Sequence, residues 1–335
     1  MTQLTGLRQL QAEMDRQFTD ALATWDQIAP AAGDAARSIT DTGRLLLLGM
    51  GGSHWVNRMA EPFYRRAGVD ASAHVLSEYM RAPLDRAATV FLTSQSGASG
   101  EVVRFLDSAP NGQIFGLTLD ATSALGQRTR ALVGCGGVEL AYAATRSLLV
   151  TMTVHARILQ ALGQDMGAFH AALIAAQVPE NPALSDYIAG ARNAVFVGRG
   201  ALQGVADAAG LSLMELARIP VLGLEAGQFR HGPFEMVGPE TAVVFLRGQA
   251  NEGDNIAGLA AELIHHGLRP AIVDLSGADP VAGAITLALT PCHGLAAAAT
   301  ALPALQRAVI DAATRMVPDV GVPLRSTKVT SGEGG

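Results

Sequence analysis

The sequence holds 23 arginines and a single lysine, Lys328, in the segment Val322-Pro323-Leu324-Arg325-Ser326-Thr327-Lys328-Val329-Thr330. A lysine amine can shed its proton and attack a carbonyl carbon to form an imine, whereas a guanidinium stays charged and does not. Lys328 is therefore a candidate nucleophile. The alternative is a solvated charge beside the glycine-rich end Ser331-Gly332-Glu333-Gly334-Gly335.

A second stretch suits an anion. In Thr93-Ser94-Gln95-Ser96-Gly97-Ala98-Ser99-Gly100-Glu101, hydroxyls, backbone N–H groups and the start of a helix converge after an apolar strand, a cradle for phosphate that needs neither metal nor lysine. Gly51, Gly52 and Ser53, closing an earlier strand, are placed to complete it; an ordinary Ser/Gly helix cap is the alternative. At the matching place in the second half stands Arg247-Gly248-Gln249-Ala250, so only the first copy is expected to hold phosphate. Gly49-Met50-Gly51 lacks the third glycine of a dinucleotide fingerprint, since His54 stands there, and no Gly-Lys-Ser/Thr exists for a P-loop.

Two further residues carry acid–base potential. Glu215 lies among Leu211, Leu213, Met214 and Leu216, where apolar neighbours would raise a carboxyl pKa toward that of a proton shuttle; a solvated helix residue is the alternative. His231, in Phe229-Arg230-His231-Gly232-Pro233, is a candidate catalyst or a structural donor.

The elements that must position these groups follow from periodicity. Leu7, Leu10, Met14, Phe18, Leu22 and Trp25 form a helical stripe that ends or kinks at Ala29-Pro30. Arg44 to Ser53 is an apolar run ending in glycines, read as a buried parallel strand before a turn and a helix over Asn57 to Ala67. Strands follow at 71–76 and 88–93, with the pattern continuing through 113–119 and 131–140 before a long apolar helix from Ala144 to about Leu162. After Pro179 to Pro182 the rhythm restarts: Asn193 to Gly200 echoes the strand and glycine turn of β-type run 44–51, and Val243 to Gln249 echoes Thr89 to Gln95. The expected fold is α/β, a duplicated flavodoxin-like domain in which helices sandwich a parallel sheet. Its expected divisions are an N-terminal helix over 1–33, a first domain over 34–170, a second over 180–320 and a tail over 321–335.

With 335 residues, 49% of them hydrophobic and 16% charged, the chain supports about two cored domains and excludes general disorder. A net charge of -6 offers no basic face for nucleic acid. Cys135 and Cys292 fit no disulfide or metal spacing and read as buried thiols of a reducing compartment. The run Ala284 to Gln306 reads as a strand and an Ala-rich helix rather than a membrane span, and the N-terminus lacks a signal-peptide pattern. A soluble cytoplasmic protein without metal or cofactor is expected.

Taken together, Gly51-Gly52-Ser53, Ser77-Glu78-Tyr79, Ser94-Gln95-Ser96-Gly97, Gly198-Arg199-Gly200, Ala226-Gly227 through His231-Gly232-Pro233 and Pro323 to Thr330 resemble the sugar isomerase (SIS) superfamily over nearly the whole chain. The likeness is greatest to the isomerase portion of glucosamine-6-phosphate synthase and its stand-alone relatives, which include deaminases. It implies two tandem SIS domains, phosphate held by Ser53, Ser94, Gln95, Ser96 and Ser99, and a homodimer whose histidine reaches the neighbouring subunit's site. It puts the enolising carboxylate on Glu215, the ring-opening histidine on His231 and the imine-forming lysine on Lys328. Two positions depart from the synthase pattern: Ser212 replaces a lysine and Ala208 a glutamate. With no amidotransferase domain ahead of the SIS portion, the implied reaction is that of a glucosamine-6-phosphate deaminase. A deglycase or isomerase of another 6-phosphosugar, and a phosphosugar sensor without activity, are the alternatives.

Overall fold

The computed structural model describes residues 3–108, 113–249 and 255–329. Ala250, Thr330 and the glycine-rich end, which entered the sequence reading, lie outside them. The chain divides into two units, residues 8–174 with the segment from Pro323 onward, and residues up to Leu7 with Ala175–Val322.

In the first unit the amphipathic stripe forms α1 (Gln3–Gln27), and a break at Ile28 starts α2 (Ala29–Thr42), with Pro30 in its first turn. Proline is tolerated there because the amide it removes has no intrahelical partner. The predicted kink is thus a boundary between two helices, the second running on to Gly43, whose left-handed backbone ends it. The sheet follows: β1 (Arg44–Gly49), α3 (Gly51–Arg66), β2 (Asp70–Val75), α4 (Leu76–Tyr79), β3 (Thr89–Thr93), α5 (Gly100–Asp107), β4 (Gln113–Thr118), α6 (Ala124–Arg128) and β5 (Arg130–Val133). Long α7 (Arg146–Ala161) and α8 (Gly167–Ala175) close this half.

All strands are parallel, in the order β2-β1-β3-β4-β5. Leu45 to Leu48 are buried on both faces, which is why they read as an unbroken apolar run. Helix α7 packs against α2 and α3 and is buried on nearly every side. One expected strand is shorter than the sequence implied: β5 stops at Val133, and Gly136 and Gly137, both with positive φ, turn the chain into a loop that lasts until α7. At Gly136 a side chain would also collide with Asp20 and Arg146.

The second unit repeats the plan. It runs α9 (Pro182–Ala189), β6 (Asn193–Gly198), α10 (Ala201–Ala217), β7 (Val221–Glu225), α11 (Ala226–Arg230), a 3-10 turn (Pro233–Met236), β8 (Thr241–Arg247), α12 (Ile256–His265), β9 (Ala271–Asp274), β10 (Ile285–Ala288) and α13 (Gly294–Met316). Its parallel sheet has the order β7-β6-β8-β9-β10, the same winding as the first. The apolar run near 284–306 is thus a strand followed by α13, which packs on α10 and α9. No helix among the described residues is long and apolar enough to cross a membrane.

Candidate functional site

In a sheet wound in this order, connections leave in opposite directions from the central strand and its neighbour, opening a crevice at their carboxyl ends. In the first sheet those strands are β1 and β3, whose last residues, Gly49 and Thr93, are register partners. β1 feeds α3, which begins with Gly51, Gly52 and Ser53, and β3 feeds the loop that ends at Ser99 and opens α5. The structure therefore brings Gly51, Gly52 and Ser53 alongside Ser94, Gln95, Ser96 and Ser99. Two helix starts face this edge, each with backbone N–H groups lacking intrahelical acceptors.

The loop is held from beneath. Ser94 N donates to Leu117 O at 3.0 Å, and Gln95 O accepts from Leu119 N at 3.0 Å. Buried Ser94 accepts from Gly97 N at 3.2 Å through its hydroxyl. Gly97 has a φ of +60°, and a Cβ there would collide with Ser123, so the turn requires glycine. Ser99 occupies the N-cap of α5 without a side-chain capping bond, so a simple cap does not account for that serine.

Behind the crevice, Thr93 Oγ1 donates to Asn57 Oδ1 at 2.9 Å, and His155 Nε2 meets the same oxygen at 3.2 Å. His155 Nδ1 meets the Tyr64 hydroxyl at 3.0 Å. Burial pushes His155 down to about 3 and Tyr64 well above its ordinary value, so the pair is neutral: Tyr64 donates to Nδ1, and Nε2–H donates to Asn57. This network ties β3, α3 and α7 together directly under the loop.

Lys328 belongs to the same unit as the serine loop. Its Nζ donates to Glu139 Oε2 at 3.5 Å and to Tyr142 O at 3.3 Å. The hydroxyls of Tyr142 and Ser326 are also hydrogen-bonded. Glu139, fully buried, accepts at Oε1 from Thr145 N and Thr145 Oγ1, both at 2.8 Å, and at Oε2 from Ser147 Oγ at 2.5 Å. Its backbone N donates to Gln95 Oε1 at 3.3 Å. A side chain of the serine loop, a buried carboxylate and the single lysine thus form one connected series. The sequence reading missed Glu139 because Val138-Glu139-Leu140-Ala141-Tyr142 looks like the continuation of β5. The preceding Gly134-Cys135-Gly136-Gly137 was the signal that the strand had ended.

Glu215 and His231 lie in the other unit. Glu215 is half-buried in the last turn of α10, between fully packed Leu213 and Leu216. The helix ends at Arg218, which has a left-handed backbone and whose guanidinium donates to Asp319 Oδ1 at 2.7 Å and Val322 O at 3.0 Å. His231 follows α11 and is exposed. The turn presenting it is anchored by buried Phe229, which meets Phe234 and Phe245 edge-on.

A cavity of about 380 Å³ in the first unit is lined by His54, Arg58, His74, Glu78 and Tyr79, among others. His54 is nearly buried, and its Nδ1 has no partner. Burial and neighbouring Arg58 hold it neutral, at about 4.

The fold and the crevice define an α/β protein built from two doubly wound sheets, the architecture of tandem SIS domains. Residues 187–313 match the family model of the SIS domain. Over 267 residues it is 26% identical to the glutamine–fructose-6-phosphate aminotransferase (isomerizing) of Staphylococcus aureus strain Mu50, covering 73% of this chain and 44% of that protein. The chain therefore spans less than half the length of that relative. Among solved structures, the tagatose-6-phosphate ketose/aldose isomerase of Escherichia coli superposes with a TM-score of 0.78 at 20% identity, over 98% of both chains. The glucosamine-6-phosphate deaminase of Thermotoga maritima does so with a TM-score of 0.72 at 20% identity, over 96% of this chain and 99% of that one.

Proposed function

We propose that the protein is a phosphosugar enzyme of aldose–ketose type that converts glucosamine 6-phosphate and water to fructose 6-phosphate and ammonia. The observation that carries this reading is the series Gln95–Glu139–Lys328, which links a serine-rich anion cradle to the chain's single lysine. A hydroxyl- and amide-lined crevice at a sheet switch point suits a phosphate, and a docked lysine suits a carbonyl or imine carbon.

In the proposed mechanism, Ser53, Ser94, Gln95, Ser96 and Ser99 hold the phosphate, with backbone donors from Gly51 and Gly52. His231 moves a proton between the ring oxygen and the C1 hydroxyl, opening the sugar. Glu215 takes the proton from C2 and returns it at C1, converting the 2-amino aldehyde into a C2 imine. Water then adds at C2 and ammonia leaves, directly or after Lys328 has displaced it by forming its own imine with C2. The roles of Glu215 and His231 extend the family resemblance to these positions, as does the expectation that subunits of a homodimer share their sites.

The superposition on a tagatose-6-phosphate isomerase favours a second reading, isomerisation of another 6-phosphosugar, because cradle and proton shuttle are indifferent to the group at C2. The test is release of ammonia and fructose 6-phosphate from glucosamine 6-phosphate, with Lys328→Ala run alongside and plain 6-phosphosugars as competing substrates. Matched release of both products, lost in the variant, supports the deaminase. Turnover of a plain 6-phosphosugar alone supports the second reading, and binding without any turnover supports a sensor.

A further inference from the structure

We infer that Glu139 is the positioning residue for Lys328, holding the tail's ammonium by its buried charge and linking it to the phosphate loop through Gln95. The inference deepens the reading above and rests on it for the catalytic role of Lys328, but not for the ion pair itself.

Few side-chain contacts hold the described residues from Leu324 to Val329. Leu324 to Thr327 are exposed, and the contacts that fix the segment around Lys328 are its two donations, to Glu139 and Tyr142 O, and the Ser326–Tyr142 hydroxyl pair. Glu139 in turn is fixed rigidly. Both its oxygens accept from α7's first turn or the residue before it, and the next residue, Leu140, donates its N–H to Glu13 Oε1 at 2.8 Å.

The cation nearest in sequence is already committed. Arg146, fully buried, pairs with Glu13 at 2.5 Å and with Asp20 at 3.2 Å. Lys328 is the cation that meets the Glu139 carboxylate. A buried carboxylate deprived of its cation is costly, so the tail lysine has a defined dock rather than a solvated position. Because Glu139 N donates to Gln95 Oε1, the dock is one hydrogen bond from a proposed phosphate ligand, where a sugar anchored by its phosphate would meet the amine.

The single lysine makes the test direct. Wild type and Glu139→Gln, Glu139→Asp and Ser147→Ala variants are treated with an amine-acetylating reagent at pH 7.5, and modification of Lys328 is followed by peptide mass spectrometry, with the N-terminal amine as internal reference. Glu139→Gln, which keeps shape but removes charge, should raise the rate at least about fivefold. Glu139→Asp and Ser147→Ala, which keep the charge, should stay within about twofold. An unchanged rate in Glu139→Gln, or an equal rise in Ser147→Ala, overturns the inference. Lys328→Met, on an exposed tail, supplies a second arm should the glutamine variant fold poorly. It should lower the melting temperature by about 2–4 °C, and no shift overturns the pairing. Neither arm needs turnover. If wild type acts on glucosamine 6-phosphate, Glu139→Gln should also lower kcat at least about tenfold with KM within about threefold. Failure of wild-type turnover sinks the proposed function alone, and failure of the labelling and melting arms sinks the dock alone.

Discussion

His155 Nε2 and Asn57 Oδ1 lie 3.2 Å apart in a wholly buried contact that joins α7 to α3. Because Asn57 also receives Thr93, the imidazole braces both chain segments that leave the sheet at the β1/β3 crevice. Protonation would put an uncompensated charge at the centre of the unit.

That contact sets an acid limit. Above about pH 6.5 the ring is neutral whether the chain is folded or not. Below it the unfolded chain binds a proton that the native state refuses until about 3, so stability falls as pH drops through this window, by up to about 1.4 kcal/mol per pH unit for each such group. His54, held near 4, adds in the same direction. Urea unfolding at several pH values should show His155→Gln flattening the slope between pH 6 and 4; an unchanged slope would remove His155 from the cause.

The serine loop separates folding from binding. Ser96→Ala should weaken inorganic phosphate or glucose 6-phosphate binding about 10- to 100-fold, with the melting temperature unchanged. Gly97→Ala should damage both, since its φ of +60° and the approach of Ser123 leave no room for a methyl group. Calorimetric titration beside a thermal melt distinguishes the two, and equal effects from both substitutions would contradict the assignment.

Glu215→Gln should abolish turnover while sugar-phosphate affinity stays within about threefold, because proton transfer between carbons is a transition-state function. Turnover retained in this variant would exclude Glu215 from the mechanism.

Arg146 offers a stability prediction independent of any activity. Arg146→Met strands the buried carboxylate of Glu13, while Asp20 keeps its pair with Arg16 at 3.0 Å, and should destabilise the protein by about 3–5 kcal/mol, whereas the double change with Glu13→Met should recover part of the loss. Denaturant titration of both variants against wild type checks this.

What could be read from the chain reflects how each group announces itself. Glycines and serines after an apolar run disclosed the crevice, because only such residues make tight turns and free donors there. Lys328 stood out by rarity, and the two parallel sheets followed from the β/α alternation. Glu139 and Arg146 were silent: a carboxylate flanked by Val138 and Leu140 reads as an interrupted strand, and an arginine at a helix start reads as surface. Their meaning depends on partners 189 and 133 residues away in sequence, a separation that no local pattern encodes. The neutral state of His155 is equally a product of tertiary burial.

The repeated strand order has a last consequence, in stoichiometry. At the second sheet's corresponding edge, Arg247 meets Asp274 at 3.1 Å and Arg199 meets Glu225 at 3.4 Å, so guanidiniums that would attract an anion there are already neutralised by carboxylates. A chain with two equivalent architectural sockets should therefore saturate at one equivalent of sugar phosphate, the second copy serving as scaffold for residues rather than as a receptor.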